Sequence, residues 1–239
     1  MIENVMMMLS AATATTTTMT VFGINILSIS SAVLLIATFG VVVRRGFIDW
    51  LSAYQYQSLV LSIITAIIGY TSGLWQLYIA AALTLIIKCL VIPKVLQYAT
   101  KNVRVSYKIE THPYINIRTS VIVSALLVAL SYFLTQQISI NSDPVVKSFL
   151  PVSLALFLIG LFIIVIRKIA LNQIVGLLII ENGLFLFTVV LTKGISILIE
   201  FGIFVDILVG VVISAILLSR MGSVVESIDV NKLAHLRDD

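Results

Sequence analysis

Charge is scarce in this chain of 239 residues: Asp, Glu, Lys and Arg make up 11% of it, against about 25% in a typical soluble domain. So little solvating surface excludes a soluble enzyme, a disordered chain and a collagen-like fibre. Cys89 is the single cysteine, which excludes an internal disulfide, an iron–sulfur cluster and a Cys-rich zinc site. The two histidines, His112 and His235, fall in polar segments, so no haem held by histidine pairs between membrane helices is expected. There is no GxxxxGKS-type phosphate loop and no GxGxxG after a strand. The chain itself is therefore expected to carry no cofactor of its own.

Apolar residues are what is abundant: 60% of the chain is hydrophobic and the mean hydropathy is +1.14. A membrane-spanning helix needs about 20 apolar residues, and seven such stretches occur, at 21–43, 52–70, 74–92, 119–135, 148–166, 170–191 and 195–218. Between and beyond them there is room for loops and tails, not for a separate soluble domain. The fourth stretch is the weakest, because Thr119, Ser120, Ser124 and Ser131 dilute it. The chain is thus expected to be an all-α, polytopic membrane protein with seven transmembrane helices.

The basic residues test that count. Arg44, Arg45, Lys94, Lys101, Arg104, Lys108, Arg118, Arg167, Lys168, Arg220, Lys232 and Arg237 fall on one side of the seven-span scheme, and Lys147 and Lys193 on the other. This 12:2 split follows the positive-inside rule, with the N-terminus outside and the C-terminus inside. It also accounts for the net charge of +4 without nucleic acid as a partner. The organisation reads as a polar lead (1–20), an N-terminal three-helix group (21–92), a basic cytoplasmic loop (93–118), a linking helix (119–135), a second three-helix group (148–218) and a cytoplasmic tail (219–239). The start, Met-Ile-Glu-Asn, lacks the basic n-region of a signal peptide. The basic pairs Arg44-Arg45 and Arg167-Lys168 are offset by 123 residues, which suggests a 3+1+3 helix arrangement. The basic loop reads either as a solvated, lipid-attracted segment or as a docking surface for a partner.

Four ionisable residues lie inside the spans: Lys88, Glu181, Glu200 and Asp206. Burying a charge at the bilayer centre costs roughly 2.5–3.5 kcal/mol even on mild scales. Glu181 stands mid-span in VGLLIIENGLFL. It is either a protonated carboxyl bonded to a neighbouring helix or a group that passes protons on. A glutamine would serve the first role without the ionisation cost, so the second is preferred. Asp206 lies in a stripe of Gly202, Asp206, Gly210 and Ser214, whose four-residue spacing suits a close helix interface. Interhelical glue and proton handling both fit there. Glu200 is six residues earlier, about 9 Å further out and turned about 120°. Lys88, in LTLIIKCLVIP, either snorkels to the headgroups or pairs with an intramembrane carboxylate and titrates with it. Together they look like pieces of a proton or cation path.

The segments AYQYQSLVLS (53–62), LTLIIKCLVIPKVL (83–96), HPYINI (112–117), VGLLIIENGLFL (175–186) and LIEFGIFVDILVGVVI (198–213) resemble the membrane component E of hydrogenase-4. That family accompanies group 4 membrane-bound NiFe hydrogenases and formate hydrogenlyases. The last three spans are also similar to the K subunit of respiratory complex I and the C subunit of Mrp-type antiporters. Aligning on Gly210 puts Asp206 at the second of the two K-subunit glutamates. Aligning on Gly176 puts Leu178 at the first, with Glu181 three residues later, a departure from the K pattern. The resemblance implies a subunit in the cell membrane of a prokaryote, one that contributes buried carboxylates to a proton (or sodium) path coupled to redox chemistry elsewhere. Implied partners are antiporter-like membrane subunits and a peripheral redox arm holding nickel–iron and iron–sulfur centres. A stand-alone cation/proton transporter and a purely structural spacer are the competing readings.

Overall fold

The computed structural model describes residues 26–44, 46–99, 115–139, 143–167 and 170–192; these are almost entirely helical, with no β-strand among them. The elements are α1 (Ile26–Val43), α2 (Phe47–Ser72), α3 (Trp75–Leu83), a π-helical segment (Thr84–Val91), α4 (Ile92–Ala99), α5 (Ile117–Ser139), α6 (Pro144–Ile166) and α7 (Ala170–Thr192). The third, the π-helical and the fourth pieces run on as one rod, so six helices among the described residues are long and apolar enough to cross a membrane. The seventh expected span, 195–218, lies outside the described residues, as do Glu200 and Asp206.

Helix–helix contact here depends on small and hydroxyl-bearing residues, because lipid gives apolar side chains no reason to prefer protein. In α6 and α7 the backbones meet through glycine. A Cβ on Gly160 would stand 2.8 Å from the Gly176 carbonyl oxygen, and one on Gly183 would stand 2.8 Å from the Phe157 nitrogen. In α5 the buried stripe is Ser120, Ser124, Ser131 and Thr135, while Ile122, Leu126, Phe133 and Ile138 face outward. This stripe lies on the helix that packs against α6. The hydroxyls that weaken the fourth span's hydropathy are thus its buried face, and hydroxyls there close onto backbone carbonyls, as in Thr135 to Ser131 (2.8 Å). Between α2 and α3 the chain turns at Gly73, whose φ of 68° lies in the left-handed region that favours glycine.

The third rod runs seven residues beyond its expected end at Ile92, through Pro93 to Ala99, so the basic segment 93–118 begins as helix. Proline has no N–H to give the carbonyl four residues back, which is that of Cys89. Gln55 of α2 donates its Nε2 to that carbonyl at 3.1 Å. Seven residues along α2, Ser62 donates to the Ala81 carbonyl at 2.8 Å, just before the π-helical segment. These two bonds brace the segment at both ends, and the residues it buries are Thr84 and Lys88.

At one end of the bundle Arg167, only 2% exposed, caps α6 and donates Nη2 to the Val42 carbonyl at 3.3 Å. Its guanidinium lies 4.6 Å from the Trp50 ring centroid, and the Trp50 indole N–H donates to the Arg44 carbonyl. A residue that reads from sequence as a loop charge is therefore packed inside the turn. The Arg167–Val42 link spans 125 residues, and links between α7 and α2 span 124 and 125. These separations sit close to the 123-residue offset of the two basic pairs.

Candidate functional site

Glu181 is the central residue of α7, and Lys88 lies in the π-helical segment of the rod beside it. The Lys88 Nζ stands 2.5 Å from Glu181 Oε1, with the lysine fully buried and the glutamate side chain 9% exposed. Lys88 does not snorkel. Its side chain is fully buried and turns inward to an acid. The same ammonium sits 4.5 Å from the Phe185 ring centroid, one turn along α7 from Glu181.

From this pair a line of neutral polar side chains crosses the bundle. Lys88 Nζ donates to Asn182 Oδ1 at 3.1 Å. Asn182 Nδ2 donates to Gln57 Oε1 and to Ser58 Oγ, each at 3.3 Å. Gln57 Nε2 donates to Thr38 Oγ1 at 2.7 Å, and Thr38 donates to the Leu34 carbonyl at 2.9 Å. Asn182, Gln57, Ser58 and Thr38 are all fully buried. The Tyr54 hydroxyl, also fully buried, lies beside Ser58 and within electrostatic reach of Glu181. The second carboxyl oxygen, Glu181 Oε2, is buried with no hydrogen-bond partner among the described residues.

The sequence flags Lys88 and Glu181 by their charge, and the fold brings these two together. Glu200 and Asp206 lie outside the described residues. Asn182, Gln57, Thr38, Ser58 and Tyr54 are not flagged, because an uncharged polar residue in an apolar span costs little enough to be common. Among the described residues no three His, Cys, Asp or Glu side chains gather as a metal site.

The chain also has relatives. It is 31% identical over 184 residues to hydrogenase-4 component E of Escherichia coli K12, covering 77% of this chain and 84% of that protein. The Shigella flexneri component E aligns with the same identity and coverage. An uncharacterized protein of Mycobacterium tuberculosis is 27% identical over 206 residues, covering 86% of this chain and 93% of its own. No protein-family model matches the chain, and no solved structure matches it. With 31% identity sustained across most of both chains, this chain belongs to the hydrogenase-4 component E family.

Proposed function

We propose that this chain is an integral membrane subunit of a hydrogenase-type complex and that Glu181 and Lys88 load and unload protons there in step with redox chemistry in partner subunits. Family membership and the membrane-length helices support the first part. The observation that carries the second is the ion pair at 2.5 Å, buried at the centre of a membrane helix. Such a pair couples two proton sites: a proton arriving at the Glu181 carboxylate cancels its charge and strands the Lys88 ammonium. A proton then leaving Lys88 Nζ restores a neutral site. An unpaired charge at this depth is costly, so uptake at one group and release at the other are linked titrations. A change in field from a partner subunit is what tips the pair. On this reading Asp206 and Glu200, in the last span, continue the path toward neighbouring antiporter-like subunits, and the nickel–iron and iron–sulfur centres belong to a peripheral arm.

The test is Glu181→Gln in the assembled complex, which keeps the shape and a hydrogen-bond acceptor but cannot ionise. The complex is expected to assemble and to keep its electron transfer, while redox-linked proton movement falls at least tenfold. Proton movement at the wild-type rate in that variant removes Glu181 from the mechanism.

A further inference from the structure

The line of bonds from Lys88 to α1 has a single sense, and the chemistry of the groups dictates it. An ammonium only donates, so Asn182 must turn its carbonyl oxygen to Lys88 and its NH2 to Gln57. Gln57 then presents its own carbonyl to Asn182 and its NH2 to Thr38, whose hydroxyl is left to donate to the Leu34 carbonyl. Every dipole in the series points the same way, and aligned hydrogen bonds strengthen one another by about 10–30% each. Side-chain amides neither gain nor lose protons at physiological pH, so the line is no proton wire. A neutral amine, by contrast, accepts as well as donates, and with it the whole line is free to reverse.

We infer that Asn182, Gln57 and Thr38 are positioning residues: a polarised hydrogen-bond line that holds Lys88 in its ammonium form and links its protonation state to α1 without passing a proton. The inference rests on the reading of Glu181 and Lys88 as proton-carrying groups. The titratable side chain paired with Lys88 is Glu181 from α7; Tyr54 of α2 lies within electrostatic reach of that carboxyl, and Cys89, next to Lys88 in the chain, donates its thiol to the Gln55 carbonyl. None of them belongs to the line, so the line is open to mutation without touching an ionisable group.

Thr38 makes the sharpest test, because three hydrogen bonds separate it from the ammonium. Thr38→Val keeps the shape and removes the terminal hydroxyl; Thr38→Ser keeps the hydroxyl. Redox-driven proton movement by the assembled complex in vesicles is followed across pH 5–9 with a pH-sensitive dye, with Glu181→Gln as the reference. Losing 10–30% of a charge-assisted bond corresponds to about 0.1–0.7 pH unit. The midpoint of the profile in Thr38→Val should move toward lower pH by up to that amount, since the ammonium is held less firmly and the lost link stands three bonds away. Thr38→Ser should restore the wild-type midpoint, and Gln57→Leu, one link closer, should move it further than Thr38→Val. A profile unmoved in Thr38→Val overturns the inference, even if less complex assembles; so does a Thr38→Ser midpoint that matches Thr38→Val. Should Gln57→Leu fail to assemble, the two Thr38 variants decide alone. If Glu181→Gln itself moves protons normally, the underlying reading fails, which is a separate result from an unmoved Thr38→Val profile beside an inactive Glu181→Gln.

Discussion

Lys88→Met is the perturbation with the largest consequence for stability. Methionine matches the lysine stem in length and leaves Glu181 facing no cation at the 2.5 Å contact. Removing one partner of a buried pair typically costs about 3–5 kcal/mol when the other stays charged. The carboxyl has an alternative, which is to take up a proton. For an ordinary carboxyl of pKa about 4.3, holding a proton at pH 7 costs about 3.7 kcal/mol, and at pH 5 about 1 kcal/mol. Protonation therefore caps the loss, and the cap rises as pH rises. The folded variant then binds more protons than its unfolded chain, so its stability declines as pH rises above about 4.3. Unfolding of the purified protein in micelles, compared with wild type from pH 5 to pH 7, should show the deficit growing by about 2.7 kcal/mol. The double variant Lys88→Met, Glu181→Gln should lose that pH dependence. A deficit in Lys88→Met that is under about 1 kcal/mol at pH 7 and independent of pH would refute the pairing and return Lys88 to an unpaired, lipid-facing role.

Four further substitutions probe the scaffold around the pair. Gly160→Ala drives a methyl to within 2.8 Å of the Gly176 carbonyl, so α6 and α7 must separate; a loss of about 1–3 kcal/mol in detergent unfolding is expected. Gln55→Leu removes the donor that meets the Cys89 carbonyl one turn before Pro93, leaving an acceptor unsatisfied at a cost of about 1–3 kcal/mol by the same assay. On α5, Ser131→Leu inserts bulk into the buried hydroxyl stripe and should destabilise by about 1–3 kcal/mol, whereas Leu126→Ala on the outward face should stay within about 0.5 kcal/mol.

Hydropathy and charge make the six described spans and the two charged residues at the pair legible, because both signals are local. An apolar run of bilayer length is a helix wherever it sits, since lipid leaves the backbone no other partner. Glu181 and Lys88 stand out because ionisation in hydrocarbon is expensive enough to need a reason. Their pairing is not local: it joins α7 to the π-helical segment of the third rod, and only the packing of both against α2 brings them together. The neutral members of the site stay hidden for the opposite reason. Gln57 and Asn182 each sit beside a flagged or apolar neighbour and carry no charge to announce them, so sequence alone gives Asn182 no more weight than the Asn172 ten residues before it.

Two weak signals were nonetheless present. A proline inside an apolar run leaves a carbonyl unpaired four residues earlier, which in LTLIIKCLVIP falls on Cys89, beside Lys88. Something from another helix had to meet that carbonyl, and α2, with Gln55, Gln57, Ser58 and Ser62 on adjoining turns, is the polar span able to do it. The glutamine that satisfies the backbone at Cys89 and the glutamine that orients Asn182 stand two residues apart. Gln55 thus fixes the winding of the rod, and Gln57, turned to the other side of α2, fixes the side chain the rod delivers. That division of labour explains why a lysine placed by an irregular helix can be held at a single acid. It also implies that substitutions at the buried positions Gln57 and Ser58 will disturb the site more strongly than those at the outward-facing Tyr56 and Leu59 that flank them.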